Sequence, residues 1–189
     1  EDDEESAFRI NADAVENLAT ACGEAGASLI HISTDYVFDG AKATPYTPDD
    51  EMNPIGAYGR SKAEGERRLR RKIAEHVIIR TAWLYGSKGK NFVATMLRLF
   101  DTKDELTVVS DQHGSPTYAV DLARAIARVM AVGTDVQYGT YHYTNEGKTT
   151  WYEFACEILR QSVQSGITTR EIPIRPVSSA EYPTKAKRP

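Results

Sequence analysis

The sequence predicts an α/β protein built on a parallel sheet with crossover helices. Three observations carry that expectation. Short apolar runs alternate with helix-length amphipathic segments along almost the whole chain, the pattern of strands joined by helical crossovers. The helical segments show apolar stripes at the 3.6-residue period. No internal repeat or low-complexity stretch competes with this reading.

Taken in order, Val15, Leu18, Ala19 and Cys22 fall at i, i+3, i+4 and i+7, so residues 7–24 read as a helix with one buried face. Gly26 interrupts it, and Ala27 to Ile32 reads as a short buried strand. A polar loop rich in Asp, Pro and Gly follows from Ser33 to about Pro54; loops of that length are uncommon without a function. Tyr58, Lys62, Gly65, Leu69 and Ile73 share one face of a helix over 57–74, and His76 to Thr81 is the next strand. Phe92, Met96, Leu99 and Phe100 mark a helix, and Leu106 to Val109 a strand. Leu122, Ala123, Ile126, Ala127 and Met130 mark another helix, and Gly139 to Tyr143 a short strand. Trp151, Phe154, Ala155, Ile158 and Leu159 form a clean helical stripe, and Ile172 to Ile174 is the last expected strand. In the second half the strands shorten and the loops gain Pro, Gly and Tyr, which puts a boundary near residue 85.

A chain of 189 residues suits one domain, with two as the outer limit. The hydrophobic share of 41% and charged share of 26% fit a soluble globular protein. A net charge of -4 argues against nucleic acid as a partner. No apolar run is long enough for a membrane helix, and no signal peptide is visible at the start. Cys22 and Cys156 are far apart and form no C-x-x-C pair, so a reducing cytoplasm is the simplest setting. The acidic run Glu1 to Glu5 reads as a solvated helix entry, and without an initiator methionine the chain is expected to begin mid-domain.

Chemistry concentrates around Tyr58 and Lys62. At i, i+4 on a helix their side chains share a face. A phenol of pKa near 10 is a poor acid at neutral pH, and a nearby ammonium would lower that value. Lysine also carries three donors that suit ribose hydroxyls. Alone, Y-x-x-x-K is more often two ordinary helix residues. The context shifts the balance: the strand ending at Ile32 runs into Ser33-Thr34-Asp35-Tyr36-Val37-Phe38-Asp39-Gly40. Ligands of open α/β sheets bind beyond the carboxyl ends of strands, which puts the Thr34 hydroxyl at a crevice edge.

These segments, together with Asn53-Pro54, Tyr58-Gly59-Arg60-Ser61-Lys62-Ala63-Glu64-Gly65-Glu66, Arg80-Thr81-Ala82-Trp83-Leu84-Tyr85-Gly86, Asn91-Phe92, Asp111-Gln112-His113-Gly114-Ser115-Pro116-Thr117 and Thr150-Trp151-Tyr152-Glu153-Phe154-Ala155, occur in one order. The set resembles the dTDP-4-dehydrorhamnose reductases, members of the extended short-chain dehydrogenases, over nearly the whole chain. Lys187-Arg188-Pro189 also resembles an Arg-Pro of that family. The resemblance implies a Rossmann-like parallel sheet with crossover helices plus a smaller substrate-binding α/β region. Residues 1–85 would be the C-terminal part of the cofactor domain and 86–189 mainly the substrate-binding region, with a return to the sheet near 106–130. It implies hydride transfer from NADPH or NADH to the 4-keto group of dTDP-4-dehydro-L-rhamnose, giving dTDP-L-rhamnose. Thr34, Tyr58 and Lys62 match the catalytic triad: Tyr58 as proton donor, Lys62 binding the nicotinamide ribose and tuning Tyr58, Thr34 holding the sugar oxygen.

By the same resemblance Ser33, Thr81 and Ala82 flank the cofactor. Asp35, Tyr36, Trp83, Asn91, Gln112 and Thr117 contact the nucleotide sugar, with Gly114 and Pro116 shaping that side. A homodimer is implied, as is Mg2+ in the intact enzyme, with no metal ligand assigned here. The family's Gly-rich turn for the cofactor pyrophosphate has no counterpart in this sequence, so about 80 residues are expected before Glu1, enough for the first βαβ units. Two alternatives stand beside the reductase. One is an epimerase or dehydratase of the same fold, which the Thr-Asp-Tyr-Val-Phe-Asp-Gly run disfavours. The other is a non-catalytic subunit like the regulatory subunit of methionine adenosyltransferase, which the intact triad disfavours.

The remaining candidates are weaker. His31 reads as a satisfied core histidine, and His76, His113 and His142 lack metal-ligand spacing. The basic run Arg67 to Lys72 reads as a solvated helix face. Ser33 lacks the G-x-S-x-G context of a hydrolase nucleophile.

Overall fold

The computed structural model describes residues 3–182, so Glu1, Asp2 and the Lys187-Arg188-Pro189 motif lie outside the described residues. The chain runs α1 (Glu4–Phe8), a π-helical segment (Arg9–Asp13), α2 (Ala14–Ala25), β1 (Leu29–Thr34) and a 3-10 turn (Asp35–Val37). It continues through α3 (Ala57–Lys72), β2 (His76–Thr81), β3 (Leu84–Tyr85), α4 (Phe92–Thr102), β4 (Leu106–Val109), β5 (His113–Gly114) and β6 (Thr117–Tyr118). The remainder is α5 (Ala119–Val132), a 3-10 turn (Gly133–Asp135), β7 (Gly139–His142), β8 (Thr149–Thr150), α6 (Trp151–Gln164) and β9 (Ile174–Val177). The architecture is mixed α/β with parallel sheets, as the alternation predicts. Among the described residues no helix is long and apolar enough to cross a membrane.

Among the described residues two compact units emerge: residues 3–81 with Arg124–Tyr143, and Ala82–Ala123 with residues 144–182. Arg124–Tyr143 returns to the first unit.

The first unit holds a three-stranded parallel sheet ordered β1-β2-β7. Leu29 pairs with His76 and Thr34 with Thr81, while Val77 pairs with Gly139 and Arg80 with His142. β2 is buried along its whole length, as suits a central parallel strand, with the buried His76 and Arg80 held by hydrogen bonds. Val15 and Ala19 of α2, Leu69 of α3, and Ile73 and Ile78 form its core. β1 begins two residues later than predicted. The left-handed Gly26 (φ 64°) closes α2, and Leu29 is the first residue to join the ladder, donating to the Glu75 carbonyl at 3.0 Å.

The predicted helix over 7–24 is a continuous helical stretch with a widened π segment, Arg9–Asp13, in its first half. Gly65 of α3 explains the fit: a Cβ there would sit 1.9 Å from the Asn11 carbonyl oxygen. Asn11 in turn donates to Ser61 Oγ at 3.0 Å. Such π segments recur at functional sites.

The long loop after β1 is ordered by its own side chains. Phe38 stacks on Tyr46 with centroids 4.2 Å apart. Tyr46 and Asn53 both donate to the Asp39 carboxylate, at 2.5 and 2.8 Å. Arg80 of β2 reaches the Pro48 carbonyl at 3.2 Å.

The second unit uses two-stranded ladders: β3 with β6 and β4 with β9, both parallel, and β5 with β8, antiparallel. Met96, Phe100, Val108, Ala155, Ile158 and Ile172 form its core. A capping box starts α6: Glu153 N–H donates to Thr150 Oγ1 at 3.1 Å, and Thr150 N–H donates to Glu153 Oε2 at 2.9 Å. The last strand is Ile174–Val177 rather than 172–174, because Leu106 N–H pairs with the Pro173 carbonyl and the ladder runs on from there.

Candidate active site

β1 delivers Ser33 and Thr34 to its carboxyl end, and the chain turns at once through Asp35–Val37. Thr34 makes that turn possible. Its Oγ1 accepts from the Tyr36 N–H at 3.2 Å and donates to Asp35 Oδ1 at 3.0 Å, a local side-chain cap of the kind that stops strands. α3 approaches this turn closely because residue 59 is glycine: a Cβ would meet the Tyr36 carbonyl oxygen at 2.1 Å. The close approach puts Tyr58 edge-on to Tyr36, ring centroids 5.6 Å apart, with its hydroxyl in hydrogen-bonding reach of Thr34. Tyr58 remains 45% exposed, so a ligand can reach it.

One turn further along α3, Lys62 is only 9% exposed. Its Nζ donates to the Ile32 carbonyl at 2.7 Å and lies 3.3 Å from His31 Nε2. Burial lowers its pKa, and the Glu66 carboxylate opposes that. The expected tuning of Tyr58 by Lys62 is not what this geometry gives. Burial raises the Tyr58 pKa first, the Thr34 hydrogen bond lowers it, and the Asp35 carboxylate raises it again. The net upward direction keeps the phenol protonated, the form that donates a proton. Lys62 acts on the Ile32 carbonyl and His31 instead.

Asp35 is the strongly perturbed carboxyl of this cluster. Burial pushes its carboxyl up to about 6, against the hydrogen bond from Thr34 and those from the Asp35 and Tyr36 backbone. Beneath the cluster, Glu66 is fully buried. It accepts from Arg80 Nη2 at 2.8 Å and from Arg70 Nη2 at 2.7 Å. Desolvation of Glu66 works against these arginines, yet its carboxyl stays below the usual range. Ser33 Oγ is buried without a hydrogen bond of good geometry, although it lies near enough to Glu66 to help hold that carboxyl down. Thr81, also buried, pairs with Thr34 across the ladder.

The other predicted residues belong to the second unit. Trp83 has φ 47°, an uncommon backbone for a bulky residue and a frequent mark of functional positions. Its indole stacks on Trp151, centroids 3.5 Å apart at 13°. A Cβ at Gly114 would fall 2.5 Å from that indole, which gives Gly114 a definite task. The Asn91 side chain is occupied locally: Oδ1 caps α4 through the Ala94 N–H at 3.0 Å, and Nδ2 donates to the Gly86 carbonyl at 2.8 Å. Gln112 donates to Ser179 Oγ at 2.9 Å. Thr117 is fully buried, its N–H on the Trp83 carbonyl at 3.2 Å. Ala82 is half-buried.

His31 is satisfied, as expected, but it is only half-buried and its partner is Lys62, a pairing that sequence reasoning missed. The signal was available: residues 31 and 33 share a strand face, and Lys62 and Glu66 share a helix face one turn apart. What sequence could not supply was the register between the two. The basic run Arg67 to Lys72 is on a helix face with carboxylate partners, as read: Arg68 contacts Glu64, Asp13 and Glu16, and Lys72 reaches Glu16 at 3.2 Å.

Among the described residues no group of three or more His, Cys, Asp or Glu side chains is gathered to hold a metal. Among the described residues each unit carries an apolar groove. One of about 490 Å³ is lined by Cys156, Leu159 and Ile172, the other, of about 560 Å³, by Leu29, Ile32, Ile126 and Met130.

Comparison with known proteins gives consistent matches. The family model described as the RmlD substrate binding domain matches residues 1–189. A dTDP-4-dehydrorhamnose reductase of Sinorhizobium fredii is 47% identical over 97% of this chain and 62% of its own length. The crystal structure of dTDP-4-dehydrorhamnose reductase from Bacillus anthracis in complex with NADP superposes with a TM-score of 0.92 at 40% identity, covering 100% of this chain and 64% of that one. The corresponding structure from Clostridium acetobutylicum gives a TM-score of 0.91 at 46% identity over the same shares. The chain therefore spans a little under two thirds of the relatives it matches.

Proposed function

The chain belongs to the RmlD substrate-binding-domain family, and from that premise we propose that it forms the catalytic and sugar-binding part of a nicotinamide-dependent reductase. Its substrate is dTDP-4-dehydro-L-rhamnose and its product dTDP-L-rhamnose. The reading rests on one observation above others. At the carboxyl end of β1 the Thr34 and Tyr58 hydroxyls are within hydrogen-bonding reach, beside a buried lysine anchored on the Ile32 carbonyl.

The residues present fit the nicotinamide end of NADPH or NADH. Two of the three Lys62 donors are engaged, by Ile32 and His31, which leaves one for a ribose hydroxyl. When bound, the cofactor supplies the hydride that the keto carbon receives. Tyr58, its pKa raised by burial, gives its proton to the keto oxygen. Thr34 turns its hydroxyl from Asp35 to the same oxygen and orients it. Ser33, Thr81 and Ala82 flank the cofactor. Asp35, Tyr36, Trp83, Asn91, Gln112 and Thr117 are assigned to the nucleotide sugar, with Asn91 and Thr117 acting mainly through the backbone they hold. A homodimer, a cytoplasmic setting consistent with two free cysteines, and Mg2+ in the intact enzyme complete the proposal, the ion without assigned ligands.

The test is direct. The intact protein is given NADPH and dTDP-4-dehydro-L-rhamnose, and NADPH loss is followed with chromatography of the product. Oxidation of NADPH matched by dTDP-L-rhamnose supports the reading. Tight binding of the nucleotide sugar with no NADPH loss above the blank overturns it in favour of a non-catalytic subunit.

A further inference from the structure

Burying an ammonium costs free energy unless its hydrogen bonds are satisfied. Lys62 is buried, and no carboxylate accepts a hydrogen bond from it among the described residues. Glu66, one helical turn away, acts on it only through its charge and is itself taken up by Arg80 and Arg70. What holds Lys62 is the Ile32 carbonyl at 2.7 Å and the His31 imidazole at 3.3 Å. Both come from β1, whose pairing with the fully buried β2 fixes their position.

We propose that His31 is a positioning residue: its Nε2 and the Ile32 carbonyl together fix Lys62 so that one N–H remains, aimed for a cofactor ribose hydroxyl. This rests on the assignment of Lys62 above. The imidazole has to be neutral to accept. Burial first, and then the Lys62 charge, push it down to about 4, with Glu66 opposing. At neutral pH the proton therefore sits on Nδ1, and Nε2 presents a lone pair to Lys62. Without that acceptor the lysine keeps a single fixed contact, and its flexible four-carbon stem samples other directions. The cost then falls on cofactor binding before it falls on the proton transfer, which belongs to Tyr58.

Four proteins test this, all as the intact chain: wild type, His31→Leu, His31→Gln and Lys62→Met. NADPH binding is measured by calorimetry and turnover in parallel. The expected result is a loss of NADPH affinity of about ten- to hundredfold in His31→Leu, the worth of one hydrogen bond to a charged group. His31→Gln, whose amide oxygen reaches the place of Nε2, should recover affinity to within about twofold of wild type on the same grounds. Equal losses in the Leu and Gln variants would show a merely structural role and overturn the proposal. Unchanged affinity in His31→Leu beside a collapse in Lys62→Met would overturn the role of His31 and leave that of Lys62 standing. Unchanged affinity in Lys62→Met would remove the assignment of Lys62 and the proposal with it.

Discussion

In the first unit the side chains around the candidate site are charged and buried, whereas in the second the predicted sugar contacts sit among stacked aromatics. Glu66 and Arg80 are 0% and 3% exposed, joined by a bidentate contact, and Arg80 goes on to hold the loop at Pro48. In the second unit Trp83 lies on Trp151, which meets Phe92, and Phe92 stacks on Phe154. The difference teaches what each arrangement is sensitive to. A buried ion pair adds little net stability but is costly to break by halves. An aromatic cluster loses stability in proportion to the volume removed and is indifferent to pH.

The comparison breaks most visibly under truncation. Glu66→Ala leaves Arg80 buried without its carboxylate and should cost about 3–5 kcal/mol. Phe100→Ala, in the second unit's core, should cost a similar 3–5 kcal/mol by leaving a cavity. Denaturant unfolding of the intact protein measures both. A cost below about 1 kcal/mol for Glu66→Ala would mean the pair behaves like a surface contact, and the contrast between units would fall.

A smaller effect sharpens the contrast through pH. The Asp35 carboxyl titrates near 6 in the folded chain against an ordinary value of 3.8. Between those values the folded protein holds a proton that the unfolded chain has released. Stability contributed by the protonated acid is therefore complete below about pH 4 and lost as pH rises through about 6. Asp35→Asn removes this dependence. At pH 7.5 the variant should be more stable than wild type by about 1–3 kcal/mol, with the difference vanishing near pH 3. A flat difference across that range would show that Asp35 is not held up by burial.

Much of this was legible in the sequence because it is local. α3 and β2 fall where residues 57–74 and 76–81 were read, and the stripe from Trp151 to Leu159 lies on α6. The resemblance carried Thr34, Tyr58 and Lys62 together, and their neighbourhood is found in one unit. The two-residue strands β3, β5, β6 and β8 were missed because two residues carry no alternation. The π segment at Arg9–Asp13 was missed, and its close approach to Gly65 joins residues more than fifty apart in the chain. The partner of His31 was not legible because it depends on where Lys62 points, and side-chain direction between a strand and a helix is a matter of packing.

The central claim is that Tyr58 is the proton donor of a hydride-transfer reaction, and Tyr58→Phe in the intact protein tests it most directly. The ring and its contact with Tyr36 are kept while the hydroxyl is lost. Turnover of dTDP-4-dehydro-L-rhamnose with NADPH should fall by about two to four orders of magnitude, and affinity for the nucleotide sugar should stay within about threefold, because the lost interaction belongs to the transition state. Near wild-type turnover in Tyr58→Phe would contradict the account.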